Sequence, residues 1–156
     1  MREEESISVA KGADEVFATV ARVEDYGSFS SQYRSTRLLS RDDGRIVLER
    51  KARVAGLPMR WISEATVGPK RVTICQTKGP LKGMRTEWRV EPEGQGSKVT
   101  ITHELRLRFP FQPLEKIVYR LIIRKMAKTI LSNVKLHLER PSEDTSQIAE
   151  PGGSGT

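Results

Sequence analysis

The sequence predicts an α+β domain in which a curved antiparallel sheet of about seven strands wraps on one long C-terminal helix, with two short helices after the first strand. Two observations carry this. From Thr36 to Phe109 the chain runs as successive stretches of alternating apolar and polar residues, separated by turn residues at 41–44, 56–58, 68–69, 78–80 and 93–96. From Leu114 to Glu139 it holds neither Gly nor Pro, and its apolar residues fall at helical spacing. Short connections make consecutive strands antiparallel neighbours. A sheet and a helix that each have one apolar face must then bury those faces on each other.

The first strand is expected over Glu4–Ala10, where Ile7 and Val9 alternate with Ser6 and Ser8. A helix follows at Ala13–Val23, with Val16, Phe17, Val20 and Ala21 at helical spacing and Asp14 and Glu15 near the positive end of its dipole. A second short helix covers Glu24–Ser30, weakened by Gly27 and its serines. Along the terminal helix Leu114, Ile117, Val118 and Leu121 form one stripe; Ala127, Ile130, Leu131, Val134 and Leu138 form another, rotated by roughly a third of a turn. Either the two halves touch different surroundings, with the first half near the mouth of a cavity, or the helix bends near Arg124. A middle buried all round by Ile122, Ile123 and Met126 is the other reading.

Composition narrows the class. A chain of 156 residues with 37% hydrophobic content suits one domain, expected over residues 1–140. Residues 141–156, rich in Gly, Ser and acids, cannot offset their own ordering entropy and are expected to be a disordered tail. No apolar run approaches the roughly 20 residues needed to span a bilayer, and the start, MREEES, lacks the basic-then-apolar order of a secretory signal, so a cytoplasmic protein is expected. The one cysteine, Cys75, excludes an intramolecular disulfide, and with His103 and His137 it makes no zinc spacing. Neither a metal nor another cofactor is expected. No nucleophile elbow or dinucleotide fingerprint is present to carry ordinary hydrolase or oxidoreductase chemistry. The formal charge of +7 favours anionic partners such as phosphorylated ligands, membrane headgroups or RNA; DNA is not an expected partner.

Side chains alternate across a strand, so parity separates an inner set from an outer one. The inner set of Arg45–Ala55 is Ile46, Leu48, Arg50, Ala52 and Val54; that of Met59–Val67 is Met59, Trp61, Ser63, Ala65 and Val67. Val72, Ile74 and Gln76 follow, then Met84, Thr86, Trp88 and Val90, and last Val99, Ile101, His103, Leu105, Leu107 and Phe109. The polar members, Arg50, Ser63, Gln76, Thr86 and His103, sit among Trp61, Trp88, Ile101 and Leu105, which is the mixture of a ligand site: mostly apolar, with a few polar groups that fix orientation. Arg50 must reach a cavity mouth or pair with an anion. His103 is a satisfied core histidine or a group that moves protons. Tyr26, Phe29 and Tyr33, on a weakly anchored element, are candidate gates, and Leu121 a candidate contact from the helix. The loop Lys78–Arg85, with Leu81 expected to be exposed among Lys78, Lys82 and Arg85, reads as a solvated turn or as a contact with a membrane surface.

The order of elements, together with ADEVFATVARVEDYGSF (Ala13–Phe29), TEWRVEPEGQGSKVTITHEL (Thr86–Leu105) and the terminal helix, resembles the START-like (SRPBCC) superfamily of polyketide cyclases, coenzyme Q-binding proteins and lipid-transfer proteins. The resemblance covers most of Ile7–Arg140 and implies a helix-grip fold with a cavity for an apolar ligand between sheet and helix. Three functions follow as expectations: a non-catalytic carrier of a lipid, quinone or polyketide; a polyketide aromatase or cyclase in which Arg50 holds an oxyanion and His103 moves protons; or a ribosome-associated module using the basic surface.

Overall fold

The computed structural model describes residues 1–30, 33–54 and 56–140, with no side-chain account of Arg34. The predicted tail, and Ala55 at the predicted end of a strand, lie outside these residues. Strand β1 (Arg2–Val9) leads into helix α1 (Ala13–Ala21) and a 3-10 helix (Val23–Ser28), and six strands follow: β2 (Tyr33–Asp42), β3 (Arg45–Val54), β4 (Leu57–Gly68), β5 (Arg71–Lys78), β6 (Arg85–Glu93) and β7 (Gly96–Glu104). All pair antiparallel in the order β1-β7-β6-β5-β4-β3-β2, so the two helical elements carry the chain from one edge of the sheet to the other. This is the expected helix-grip architecture.

Local chemistry places the turns. Asp43 and Gly44, both at positive φ (39° and 77°), make the two-residue β2–β3 hairpin that matches the twist of its strands. The second helical element is 3-10 rather than α, as its Gly27 and Ser28 favour. Its exit is tied to the terminal helix by Asn133, whose Nδ2 donates to Ser30 Oγ at 2.9 Å.

The terminal element begins as a 3-10 turn (Gln112–Leu114) and α2 (Glu115–Val118), widens into a π-helical segment (Tyr119–Ile123), and continues as α3 (Arg124–Glu139). The π segment accounts for the phase shift between the two apolar stripes, because one wide turn displaces the face that follows it. Ile130, Leu131, Val134 and Leu138 of α3 join Val16, Val20, Val23 and Tyr26 and the inner residues of the sheet in the main core, while Ala127, also buried, lines the cavity. A smaller cluster, Leu105, Tyr119 and Ile123, lies under the π segment.

Parity holds through the middle of the sheet and fails at three places. Strand β7 ends at Glu104, so Phe109, expected inside, is 87% exposed beyond the sheet. Thr100 and Thr102, expected outside, are buried. Both are short and lie on a central strand: Thr100 is flanked by Arg89 of β6 and by Ser6 of β1, whose hydroxyl it meets at 3.0 Å, and Thr102 by the longer Glu87 and Glu4. Glu49, also on the outer face, is buried against Arg60, which it meets at 2.7 Å.

Candidate binding cavity

Between the concave face of the sheet and the helix lies a cavity of about 90 Å³. Its strand wall is built by parity from Arg50, Trp61, Ser63, Gln76, Thr86, Trp88 and His103, and Tyr26 closes it from the 3-10 helix. Three of the four methionines, Met59, Met84 and Met126, also line it. The volume is below the roughly 300–1,000 Å³ of a drug-sized pocket. Flexible thioether side chains are the groups best able to shift and enlarge it.

Arg50 is 4% exposed and pairs with no carboxylate among the described residues. Its guanidinium lies over two rings, 4.8 Å from the centroid of Tyr26 and 4.9 Å from that of Tyr33, and its Nη2 donates to the Val23 carbonyl at 2.7 Å. Two aromatic faces stabilise a desolvated cation by about 2 kcal/mol or more each. One donor, Nε, remains buried and without a partner. Thr36, directly opposite Arg50 in the β2–β3 ladder, likewise has a buried, unpartnered hydroxyl oxygen. A buried polar atom without a partner is costly; Arg50 lines the cavity, so its Nε can be satisfied by a polar group or water there, whereas Thr36 is not part of the wall.

His103 faces Thr86 across the β6–β7 ladder. Burial disfavours its charged form and pushes its pKa down to about 4, so the imidazole is neutral at physiological pH, with one donor and one acceptor. Tyr26 is fully enclosed; desolvation raises its phenol far above the ordinary range, and its hydroxyl donates to the Val20 carbonyl at 2.6 Å. It is therefore a neutral packing group under Arg50.

Gln76 acts through a loop. Its side-chain Oε1 accepts from Leu81 N at 2.7 Å, while its backbone bonds to Met84 O and from Gly83 N, so residues 79–84 fold back over the cavity. Gly79 permits the close approach: its φ is +128°, and a Cβ there would stand 2.6 Å from Trp61 Cβ. Leu81, expected to be exposed, instead turns inward to line the cavity and pack on the Leu105 cluster.

The structure does not bring every expected contact to the site. Phe29 packs on Tyr26 and stacks on His137 with ring centroids 5.2 Å apart, plugging the core beside the cavity. Leu105 is buried in the neighbouring cluster, because the chain leaves the sheet one residue earlier. Leu121 is 66% exposed, on the outward side of the π segment whose Ile122 and Ile123 face the cavity. Tyr33, a candidate gate, lies in the wall over Arg50, and the three methionines, not named as candidates, belong to the wall as well. Met59 and Met84 already shared its parity, whereas Tyr33 had no assigned strand. Among the described residues no group of three His, Cys, Asp or Glu side chains is placed to hold a metal ion, and no helix is long and apolar enough to cross a membrane.

Known proteins agree with this architecture. The family described as polyketide cyclase/dehydrase and lipid transport matches residues 9–135. A curated relative, the actinorhodin polyketide synthase bifunctional cyclase/dehydratase of Streptomyces coelicolor, is 32% identical over 96 residues, or 59% of this chain; the match spans only 30% of that longer protein. Among solved structures, the Zhui aromatase/cyclase from Streptomyces sp. R1128 superposes with a TM-score of 0.79 at 20% identity, over 90% of this chain and 94% of that one. A START superfamily protein from Mycobacterium smegmatis superposes with a TM-score of 0.69 at 14% identity, over 87% and 98%. The two superpositions establish a shared fold, and the extent of the family match makes this chain a member of the polyketide cyclase/dehydrase and lipid transport family.

Proposed function

We propose that this protein binds a hydrophobic small molecule, a lipid, quinone or polyketide, in the cavity between sheet and helix, and that a hydrogen-bond-accepting group of that molecule meets Arg50. The observation that carries the reading is the buried, unpartnered Nε of Arg50 beside an apolar wall. Ser63 and His103 supply further neutral polar contacts along the same wall. A neutral His103 favours holding over catalysis: a group with a pKa of about 4 is a weak base at neutral pH. The protein would thus act as a binder or carrier.

The second reading, a cyclase, draws support from the cyclase/dehydratase relative and from a cation that could stabilise an enolate oxygen. One set of variants separates the two. Organic extraction of the purified protein, followed by mass spectrometry, should recover an apolar compound at near-stoichiometric yield. Arg50→Met should lower that yield about tenfold or more, in keeping with loss of a charge-assisted hydrogen bond, and His103→Gln should leave it within about threefold. Recovery of nothing from the wild type, or equal recovery from Arg50→Met, would refute the binding role of Arg50. Turnover of a linear polyketide substrate that disappears in both variants would move the assignment to the cyclase.

A further inference from the structure

The segment between the sheet and α3 presents an apolar surface that the cavity does not use. Phe109 (87% exposed), Phe111 (58%), Leu114 (45%), Ile117 (53%) and Leu121 (66%) fall within 13 consecutive positions, and the last four follow one another at intervals of three or four residues along a single helical face. Contiguous exposed apolar residues of this size mark a contact surface. The stripe then continues in charge. Arg124, Lys125 and Lys128 stand three, four and seven residues beyond Leu121, and Arg108, Lys116 and Arg120 flank the apolar part. Glu115 is the only acid between Leu105 and Thr129, and it is turned to the backbone, accepting from Leu107 N at 2.7 Å. Arg108, Lys116, Arg120, Lys125 and Lys128 have no ion-pair partner among the described residues; Lys116, Arg120 and Arg124 share a cleft with Glu3, Glu4 and Glu5 of β1, where Arg124 meets Glu5 at 3.2 Å, whereas Lys125 and Lys128 lie outside that cleft.

We infer that residues 109–128 dock this protein on an anionic lipid surface, with Phe109, Phe111, Leu114, Ile117 and Leu121 entering the headgroup boundary and the Lys and Arg side chains meeting the phosphates. Charge selects this occupant. In a symmetric dimer formed through the same patch, the cationic rim would face its own copy across the two-fold axis and repel it, whereas an anionic bilayer complements both the apolar stripe and its rim. The inward side of the same π segment, Ile122 and Ile123, is a wall of the cavity, so the docked surface lies one helix thickness from the proposed ligand space. The inference stands on the surface residues alone and does not require the ligand reading.

Co-sedimentation with vesicles tests it. On vesicles of equal parts phosphatidylglycerol and phosphatidylcholine the full chain should bind at least about tenfold more tightly than on phosphatidylcholine alone, and binding should weaken as salt rises. The triple variant Phe111→Ser, Leu114→Ser, Leu121→Ser and the double variant Lys125→Glu, Lys128→Glu should each lose about tenfold or more on the anionic vesicles. Both should keep the wild-type circular dichroism and melting midpoint, because all five side chains are exposed. Equal partition onto both vesicle types, or no binding to either, would overturn the proposal. So would a concentration-dependent dimer in sedimentation velocity that the serine variant dissolves, which would give the patch to a second copy. Salt-sensitive RNA binding that the serine variant keeps and the glutamate variant loses, without vesicle binding, would give it to a nucleic acid.

Discussion

The two halves of the terminal helical element are built for different purposes. Beyond its first turns the inward positions of α3 are sealed: Val134 is 0% exposed and Leu131 2%. They close against Val16, Val20 and Val23, and the core beneath them is continuous. In the half formed by α2 and the π segment, few side chains go in and the outward ones are apolar; the cavity lies beneath the junction of the two halves, lined by Ile122 and Ile123 of the π segment and by Met126, Ala127 and Ile130 of the first turns of α3. One half holds the fold together. The other leaves room and exposes its apolar surface, as expected of an element that must yield to a ligand or a partner.

The largest expected effect lies in the sealed half. Leu131→Ala should cost about 3 kcal/mol of unfolding free energy in urea titration, since it removes a fully packed side chain and leaves a void. A loss below about 1 kcal/mol would mean that this half is as loosely filled as the other.

Next is the pH dependence contributed by His103. Its folded pKa of about 4 lies below its ordinary value of 6.5, so the unfolded chain binds more protons between these values and stability falls as pH drops through that window. Across it, wild type should lose about 2–3 kcal/mol more than His103→Gln. Equal losses would place His103 in contact with water.

Gly79→Ala tests the loop over the cavity. The positive φ and the contact with Trp61 should cost about 1–2 kcal/mol and loosen residues 79–84, seen as faster amide exchange at Leu81 and Gly83. Unchanged exchange would show that Trp61 gives way instead. The smallest effect belongs to Leu121→Ser, which should shift stability by no more than about 0.5 kcal/mol. A larger cost would place Leu121 in the core.

Much of this contrast was legible in the residues. Alternation along 45–54, 57–68 and 96–104 places Arg50, Ser63 and His103 on the inner face, because a strand with one buried face allows no other parity. The phase shift between Leu121 and Ala127 marks the position of the π segment. Other features depended on tertiary context. Where β7 ends is set by the chain's departure toward Pro110, so periodicity past Glu104 assigned Phe109 to the wrong side. Whether Leu121 faces in or out depends on how the π segment is rotated on the sheet, which helical spacing alone does not fix. Tyr33 could not be placed over Arg50 until the β2–β3 register was known. The inward turn of Leu81 depends on a hydrogen bond to Gln76 that only the folded loop creates.

The most direct test of the binding account follows the Arg50 Nε–H resonance in nitrogen–proton correlation spectra as the solvent-extracted compound is added back to stripped protein. The account predicts that this resonance moves downfield and saturates at one equivalent, together with shifts at Ser63 and His103. Shifts confined to Phe109–Leu121, with the Arg50 resonance unmoved, would contradict it.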